Sequence, residues 1–281
     1  MASLTGPVYV PAPNPVVPRY GLFRVATGPL DLPMHARIGG LQYEIAVCDL
    51  PNCYEVQCQD DLQEKDITNG PTIQEGLPFV VYSAINCSPV GLANWGEERV
   101  RGWLFDQLRA GEQATVERTF SLSGCGMSPG LTGGPGVVTL PPTTDVTRGI
   151  AALEGWLYSR YGLPGVIHVP ASAASFVCNW LLTKDPRGIW RTNMETAVSF
   201  GDYAGIGPTG QAPTDTTTWL YITGQIAIWR TPDNELFKPP MGQIINRSTN
   251  VMTIIMEREY VVSYDCYVAA VEVTLDVEAD P

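Results

Sequence analysis

The last quarter of the chain constrains its fold most. WLYITGQIAIWR (219–230) and STNVMTIIMEREYVVSYDCYVAAVEVTLDVE (248–278) hold three strand-length apolar runs, with almost no turn residues between the last two. Trp219, Tyr221, Ile226, Ile228, Val251, Ile254, Tyr260, Val262, Tyr264 and Val271 are β-branched or aromatic, the types that pack well on a pleated surface. Glu257, Arg258 and Glu259 sit inside one of these runs with apolar residues on both sides. Charges in such a place need partners across the strands or on another subunit. The three residues are therefore candidates for a subunit-pairing element, and an ion network within the chain is the alternative.

Composition narrows the class. Hydrophobic residues make up 44% of the 281, enough for a sizeable core in one large domain or two small ones. Charged residues are only 16%, against roughly 25% in ordinary soluble domains. A surface so poor in charge relies on polar, Gly and Pro residues, or is covered by neighbours in an assembly. The net charge of −12, with lysine only at 65, 184 and 238, is the wrong sign for a tight nucleic-acid wrapper, because phosphate neutralisation drives that binding. No run of 18 apolar residues suggests a membrane helix, and the N-terminus lacks the basic start and apolar centre of a signal peptide. Both point to a chain made and kept in a cytoplasm, where most of its seven cysteines are expected to be free and buried.

Along the chain, prolines at 7, 11, 13, 15 and 18 describe an extended arm without a core of its own. GGLQYEIAVC (39–48) alternates Leu41, Tyr43, Ile45 and Val47 on one face, and PFVVYSAINC (78–87) is a second strand. The stretch between them is too long for an ordinary hairpin loop and is expected to serve a function or an interface. Residues 94–120 are the best helix: Asn94 can cap it with Glu97 three residues on. Val100, Trp103, Leu104 and Leu108 make one apolar stripe, Val116 and Phe120 a second, and Gly111 bends or divides the helix between them. A Gly/Pro/Ser/Thr linker follows over 121–145. Asp145 or Thr147 caps a helix at 146–161 that stops at Gly162. VIHV (166–169) is a short buried strand, and Pro170 opens a helix over 171–182. Strands are expected at 188–192 and 197–200, and a loop at 201–215.

Catalytic chemistry finds little support. A nucleophile–histidine site needs a histidine, and there are two. His168 lies in an apolar strand and reads as a hydrogen-bonded core residue; His35 reads as solvated. A hydrolase built on Cys178 or His168 is the enzymatic alternative. Cys48, Cys53 and Cys58 form C-x4-C-x4-C, with Cys87 as a possible fourth sulfur, but the spacing departs from common zinc sites. These are free thiols or an incidental disulfide, or else a clip that stiffens an interface loop. Cys125, Cys178 and Cys266 read as buried small hydrophobes. GLTGGPG (130–136) lacks the following Lys-Ser/Thr of a phosphate loop and reads as a turn. No cofactor or metal site is implied.

The order of parts, together with ALEGWLYSRYGLPGVIHVPASAASFVCNWLL, IWRTNMETAVSFGDYAG and NVMTIIMEREYVVSYDCYVAAVEV, resembles the major capsid proteins of tailed phages. That is the Hong Kong 97-type fold, shared with encapsulin shells. GEQATVERTF and PFVVYSAINCSPVG are similar to capsid proteins from phages of actinobacteria. The resemblance implies an α+β fold with an N-terminal arm (1–38), an extended loop (39–93) and a spine helix (94–120). A peripheral domain with its linker would begin at 121–200, an axial domain or loop region would occupy 201–247, and the closing peripheral strands 248–281. It implies a non-enzymatic subunit of pentamers and hexamers in an icosahedral shell. Such a shell is assembled in the host cytoplasm and encloses double-stranded DNA without reading its sequence, with scaffold, portal or decoration proteins as partners and no membrane. Tyr43, Cys48, Cys53 and Cys58 on the extended loop join Glu257, Arg258 and Glu259 as interface candidates. Lys65 is the one loop lysine available for a covalent cross-link of the kind some members make. Another virion structural protein, or an encapsulin-like shell, is the alternative.

Overall fold

A computed structural model describes residues 20–45, 48, 50–51, 71–87, 96–134, 136–177, 180–236, 242–246, 249 and 251–275. From residue 20 the chain makes a single turn α1 (Leu22–Val25), strand β1 (Thr27–Asp31) and a second turn α2 (Ala36–Gly39). β2 (Leu41–Ile45) and β3 (Thr72–Gly76) form an antiparallel ribbon. Next come β4 (Phe79–Cys87), the long helix α3 (Glu97–Leu122), β5 (Val138–Thr139), α4 (Val146–Tyr161) and β6 (Val166–Pro170). β7 (Thr183–Lys184), β8 (Trp190–Arg191), β9 (Ala197–Gly201) and β10 (Thr217–Thr223) follow. The chain then runs through β11 (Ile226–Arg230), α5 (Asp233–Leu236), β12 (Gly242–Asn246), β13 (Val251–Tyr264) and β14 (Val268–Thr274).

Two larger sheets result. One has seven strands in the order β5-β14-β10-β6-β9-β8-β7. The other is built around β13, which pairs with β4 along one edge and with β12 and then β11 along the other, and β1 adds parallel to β11. The apolar runs of the last quarter are thus four strands shared between two sheets. β10 and β14 belong to the first, β11 and β13 to the second. Both changes of sheet occur side by side: Gly224 N–H donates to Tyr267 C=O, and Asp265 N–H donates to Gln225 C=O. The strands of 201–247 are likewise divided between the sheets, because each sheet takes one half of WLYITGQIAIWR.

Period-two and period-3.6 patterns explain the layers. On β6, Ile167 and Val169 face α4 with Ile150, Leu153 and Leu157, whereas Val166 faces the other side, where α3 lies. One continuous apolar core joins Leu104, Val116 and Phe120 of α3 to Tyr221 and Val268 of the first sheet and to Met256, Tyr260 and Val262 of the second. Leu22 is buried in that core and β1 extends a sheet, so residues 20–31 are part of the body. The arm expected over 1–38 is integrated at least from there.

α4 follows the sequence reading closely. Asp145 accepts a hydrogen bond from Arg148 N–H, and Gly162 closes the helix in the left-handed conformation. α3 is continuous through Gly111 for 26 residues, about 40 Å at ~1.5 Å per residue. Its N-cap position is Gly96, and Asn94 lies outside the described residues. The helix expected over 171–182 is instead a six-residue 3-10 turn, Ala171–Phe176. Phe176 and Val177, and Leu181 and Leu182, come in adjacent pairs, and this spacing gives no single helical stripe to bury. The chain turns back and packs these residues against the sheet beside Trp190 and Phe200. No helix among the described residues is long and apolar enough to cross a membrane.

Candidate assembly site

The interface candidates can be placed from their strand positions. On β13, Ile254, Met256, Arg258, Tyr260, Val262 and Tyr264 form the inward file, so alternation carries Arg258 into the core at 1% exposure. On α3, Val100, Leu104, Leu108, Glu112, Val116 and Phe120 form an i, i+4 file, which carries Glu112 to the same level. Glu112 Oε2 accepts from Arg258 Nη1 at 2.5 Å and from the Tyr260 hydroxyl at 2.5 Å, while Oε1 accepts from Arg230 Nη1 at 3.0 Å. Arg258 Nη2 also donates to Asp233, on α5. Two guanidinium groups and two carboxylates close a neutral cluster linking α3, α5, β11 and β13. Burial, and then the Glu112 carboxylate, push the Tyr260 hydroxyl far above its ordinary range, so it remains a donor.

The cluster pairs the Arg258 charge inside the chain, through Nη1 and Nη2. Glu259 accepts from the Thr231 hydroxyl, also inside the chain. Glu257 points the other way and is exposed, opposite Tyr82 of β4. The outer face of β4 presents Val80 and Tyr82, the latter 66% exposed, beside Glu257. Glu112 escaped the sequence reading because it fills the gap between the two apolar stripes of α3. Its signal was a charge at a core position of the helix, the counterpart of the charge at a core position of β13.

Tyr43 docks the ribbon. Its hydroxyl meets Ser263 Oγ and donates to Tyr264 C=O at 3.1 Å, and its ring lies 5.7 Å from that of Trp229. Cys48, just past β2, is disulfide-bonded to Cys266, in the corner between β13 and β14. The bond corrects the reading of Cys266 as a free buried thiol; the left-handed corner at Cys266 brings its sulfur to the ribbon. Cys125 is exposed in the turn after α3, where it was expected to be buried. Cys53, Cys58, Cys178 and Lys65 lie outside the described residues. Away from these anchors the ribbon region displays apolar side chains: Ile38 on α2 is 95% exposed and Ile73 on β3 is 68% exposed.

A second buried carboxylate ties the N-terminal segment to α3. Glu117 accepts from Leu22 N–H at 2.7 Å through Oε1 and from Asp202 N–H at 2.9 Å through Oε2. Gly21 and Gly201 permit this approach, since a Cβ at either would fall within about 2.3 Å of a Glu117 oxygen. Burial pushes the Glu117 carboxyl up to about 7 against the lowering effect of those two amides.

Catalytic geometry does not emerge around the histidines. His168 is fully buried, bonded through Nε2 to Thr223 Oγ1 at 3.1 Å and edge-on to Phe120 and Tyr203, as expected of a core histidine. Burial lowers its pKa to about 3. His35 is exposed. Among the described residues no group of three His, Cys, Asp or Glu side chains is placed to hold a metal.

No protein-family model and no curated protein matches the chain. Solved structures do. The capsid of a native GTA particle matches over 98% of this chain and 96% of its own, with a TM-score of 0.59 at 11% identity. A structure from Mycobacterium phage Ogopogo matches over 97% and 96%, with a TM-score of 0.53 at 16% identity. The holo-SrpI encapsulin complex from Synechococcus elongatus matches over 99% and 95%, with a TM-score of 0.54 at 10% identity. A core shared by two sheets, crossed by one long helix and flanked by a projecting ribbon, is therefore the α+β Hong Kong 97-type fold.

Proposed function

We propose that this chain is a major capsid protein that self-assembles into the icosahedral head shell of a tailed phage, around double-stranded DNA. The observation that carries the reading is the fit of nearly the whole chain to a capsid subunit, at 98% coverage of this chain and 96% of that one. The surface agrees with it. Apolar residues remain exposed on the ribbon and α2, where Ile38 and Ile73 would gain burial from a neighbour. The acidic charge of −12 suits a container that encloses DNA without gripping it by sequence. In this reading the subunit forms pentamers and hexamers and works as a structural protein of the virion, with scaffold, portal or decoration proteins as its candidate partners. Glu257, beside Val80 and Tyr82, and the ribbon around Tyr43 and Cys48 supply subunit contacts, while Arg258 and Glu259 stiffen the strand behind them.

The encapsulin match supports a second reading, a shell around a protein cargo. Negative-stain electron microscopy of the expressed protein, alone and with candidate scaffold, tests both. Closed icosahedral particles or capsomer rings are expected, and a monomer under every assembly condition would overturn the proposal. Particles that co-purify with an enzyme would select the encapsulin reading, and tubes would indicate a tail component.

A further inference from the structure

A cleft of about 570 Å³ opens where α1 and β1 pass the β8–β9 end of the first sheet, lined among others by Arg24, Arg187, Arg191 and Gln225. Its lining holds no Asp or Glu. The turn before β8 sets two of the three arginines. Asp185 Oδ1 accepts from Arg187 N–H at 2.8 Å and from Ile189 N–H at 2.9 Å, which folds Asp185-Pro186-Arg187-Gly188 back on itself. Asp185 Oδ2 meets Arg191 Nε at 3.2 Å and Arg187 Nε at 3.5 Å, so one carboxylate oxygen draws both guanidinium groups together. Arg24, on α1, donates through Nη2 to Arg187 C=O at 2.8 Å, and Arg191 Nη1 donates to Glu195 C=O at 2.7 Å. Neither carbonyl neutralises a charge. Among the described residues Asp185 is the only carboxylate paired with any of the three. Three positive charges thus face one negative, in a chain whose net charge is −12.

Guanidinium forks match the oxygens of phosphate and carboxylate groups, and charge-assisted bonds to them are the strong class. The excess of two positive charges selects between these anions. A phosphate monoester carries about −1.5 to −2 at pH 7, whereas a carboxylate or a phosphodiester carries about −1. A cleft of this volume admits a small molecule, and Val166, Ile189 and Ile226 give it an apolar wall for the rest of one. Arg24 and Arg187 are exposed, so their forks are open to such a ligand.

We propose that this cleft binds a phosphate dianion, free or as the monoester group of a small molecule, through Arg24, Arg187 and Arg191. The proposal does not depend on shell formation. Isothermal titration calorimetry of the full-length chain at low salt tests it, with inorganic phosphate, adenosine 5′-monophosphate, dimethyl phosphate and a triglutamate peptide as probes. Saturable binding of the first two with Kd below about 1 mM is expected, and dimethyl phosphate, a monoanion, should bind about tenfold more weakly or worse. Tighter binding of the nucleotide than of inorganic phosphate assigns the site to a phosphorylated small molecule, and binding no tighter assigns it to the free ion; both support the site. Arg24→Gln combined with Arg187→Gln should weaken binding about tenfold or more with the thermal unfolding midpoint nearly unchanged, since both side chains are exposed. The comparison of dianion with monoanion uses the wild-type chain alone and stands whatever the variant's folding. No saturable binding up to about 10 mM, an unchanged affinity in the double variant, or dimethyl phosphate held as tightly as the dianions would overturn the proposal. Triglutamate held more tightly than any phosphate would also overturn it, and would assign the cleft to an acidic segment of a protein partner.

Discussion

Arg258 and Glu112 each occupy a position that strand or helix alternation reserves for an apolar side chain, and each is tolerable only because the other is there. Glu112 divides its oxygens between Arg258 and Arg230, so loss of Arg258 leaves a buried carboxylate with half of its charge compensation. Arg258→Met should destabilise the chain by about 3–5 kcal/mol, the usual cost of breaking a buried pair. The Arg258→Met, Glu112→Gln double variant should lose at least about 1 kcal/mol less than the two single losses together. Urea unfolding midpoints measure this, and strict additivity would show that the two side chains are not coupled. Glu117 makes a pH prediction of the less familiar sign. Its folded pKa of about 7 lies above the ordinary 4.5, so the folded state holds the proton more tightly. Stability from this group is full below about 4.5 and is lost as pH rises to about 7, by at most about 3 kcal/mol. His168 acts oppositely: with its pKa lowered to about 3, it costs stability as pH falls below its ordinary 6.5. The two contributions oppose each other between 4.5 and 6.5, so Glu117 is read from the difference between wild type and Glu117→Gln. That difference should change across pH 4.5–7, and parallel stability–pH curves would contradict it.

At the scale of elements, α3 shows how a local signal misleads. Gly111 and the missing apolar residue at 112 suggest a break, yet the helix is continuous because Glu112 is held by arginines from two strands. Gly111 is exposed, and a Cβ there meets nothing within 4 Å. Gly111→Ala should therefore raise unfolding stability by about 0.5–1 kcal/mol, the ordinary helix-propensity gain, and a loss in thermal or urea unfolding would show a hidden contact. Most single elements were legible in the sequence. α4 announces its start with Asp145 and its end with Gly162, and β13 announces itself by alternation. What alternation does not contain is a strand's partner, so the sharing of 219–230 and 248–274 between two sheets was not readable. The cysteine pairing was hidden for the same reason, since Cys48 and Cys266 stand 218 residues apart. Their bond joins the foot of the ribbon to the corner where β13 hands over to β14. With seven cysteines and two in this bond, the unreduced, denatured chain should take up at most five alkyl groups. Cys48→Ser should cost about 3–5 kcal/mol in the oxidised protein, as expected for cross-linking a loop of this length. Mass spectrometry reads the first and urea unfolding the second, and seven alkyl groups without reductant would refute the bond.

For the whole molecule, the distribution of satisfied and unsatisfied surface separates folding from assembly. In the body, Arg230 and Arg258 are paired with Glu112 and Asp233 in one cluster, and one core spans both sheets and α3. The ribbon and α2 are open, with Ile38 and Ile73 exposed although apolar. Neither residue belongs to the buried core, so a charge at either should leave the isolated fold largely intact. Ile38→Asp should shift the unfolding free energy by no more than about 0.5 kcal/mol, the range of ordinary surface changes, and Ile73→Asp, which faces Glu44 across the ribbon, should cost about 1 kcal/mol. In a shell, the same two carboxylates would have to be buried against a neighbour without partners, which is strongly unfavourable. They would also add to the −12 that each copy already carries, and so to the repulsion between copies in the proposed shell. Sedimentation velocity should therefore show wild-type particles giving way to unassembled subunits of near-normal stability. The block should ease only slightly in high salt, because salt screens repulsion between exposed charges far better than it offsets the burial of a carboxylate. Particles formed by the double variant as readily as by wild type would place the subunit contacts elsewhere, with the outer face of β4 around Tyr82 and Glu257 the next surface to alter.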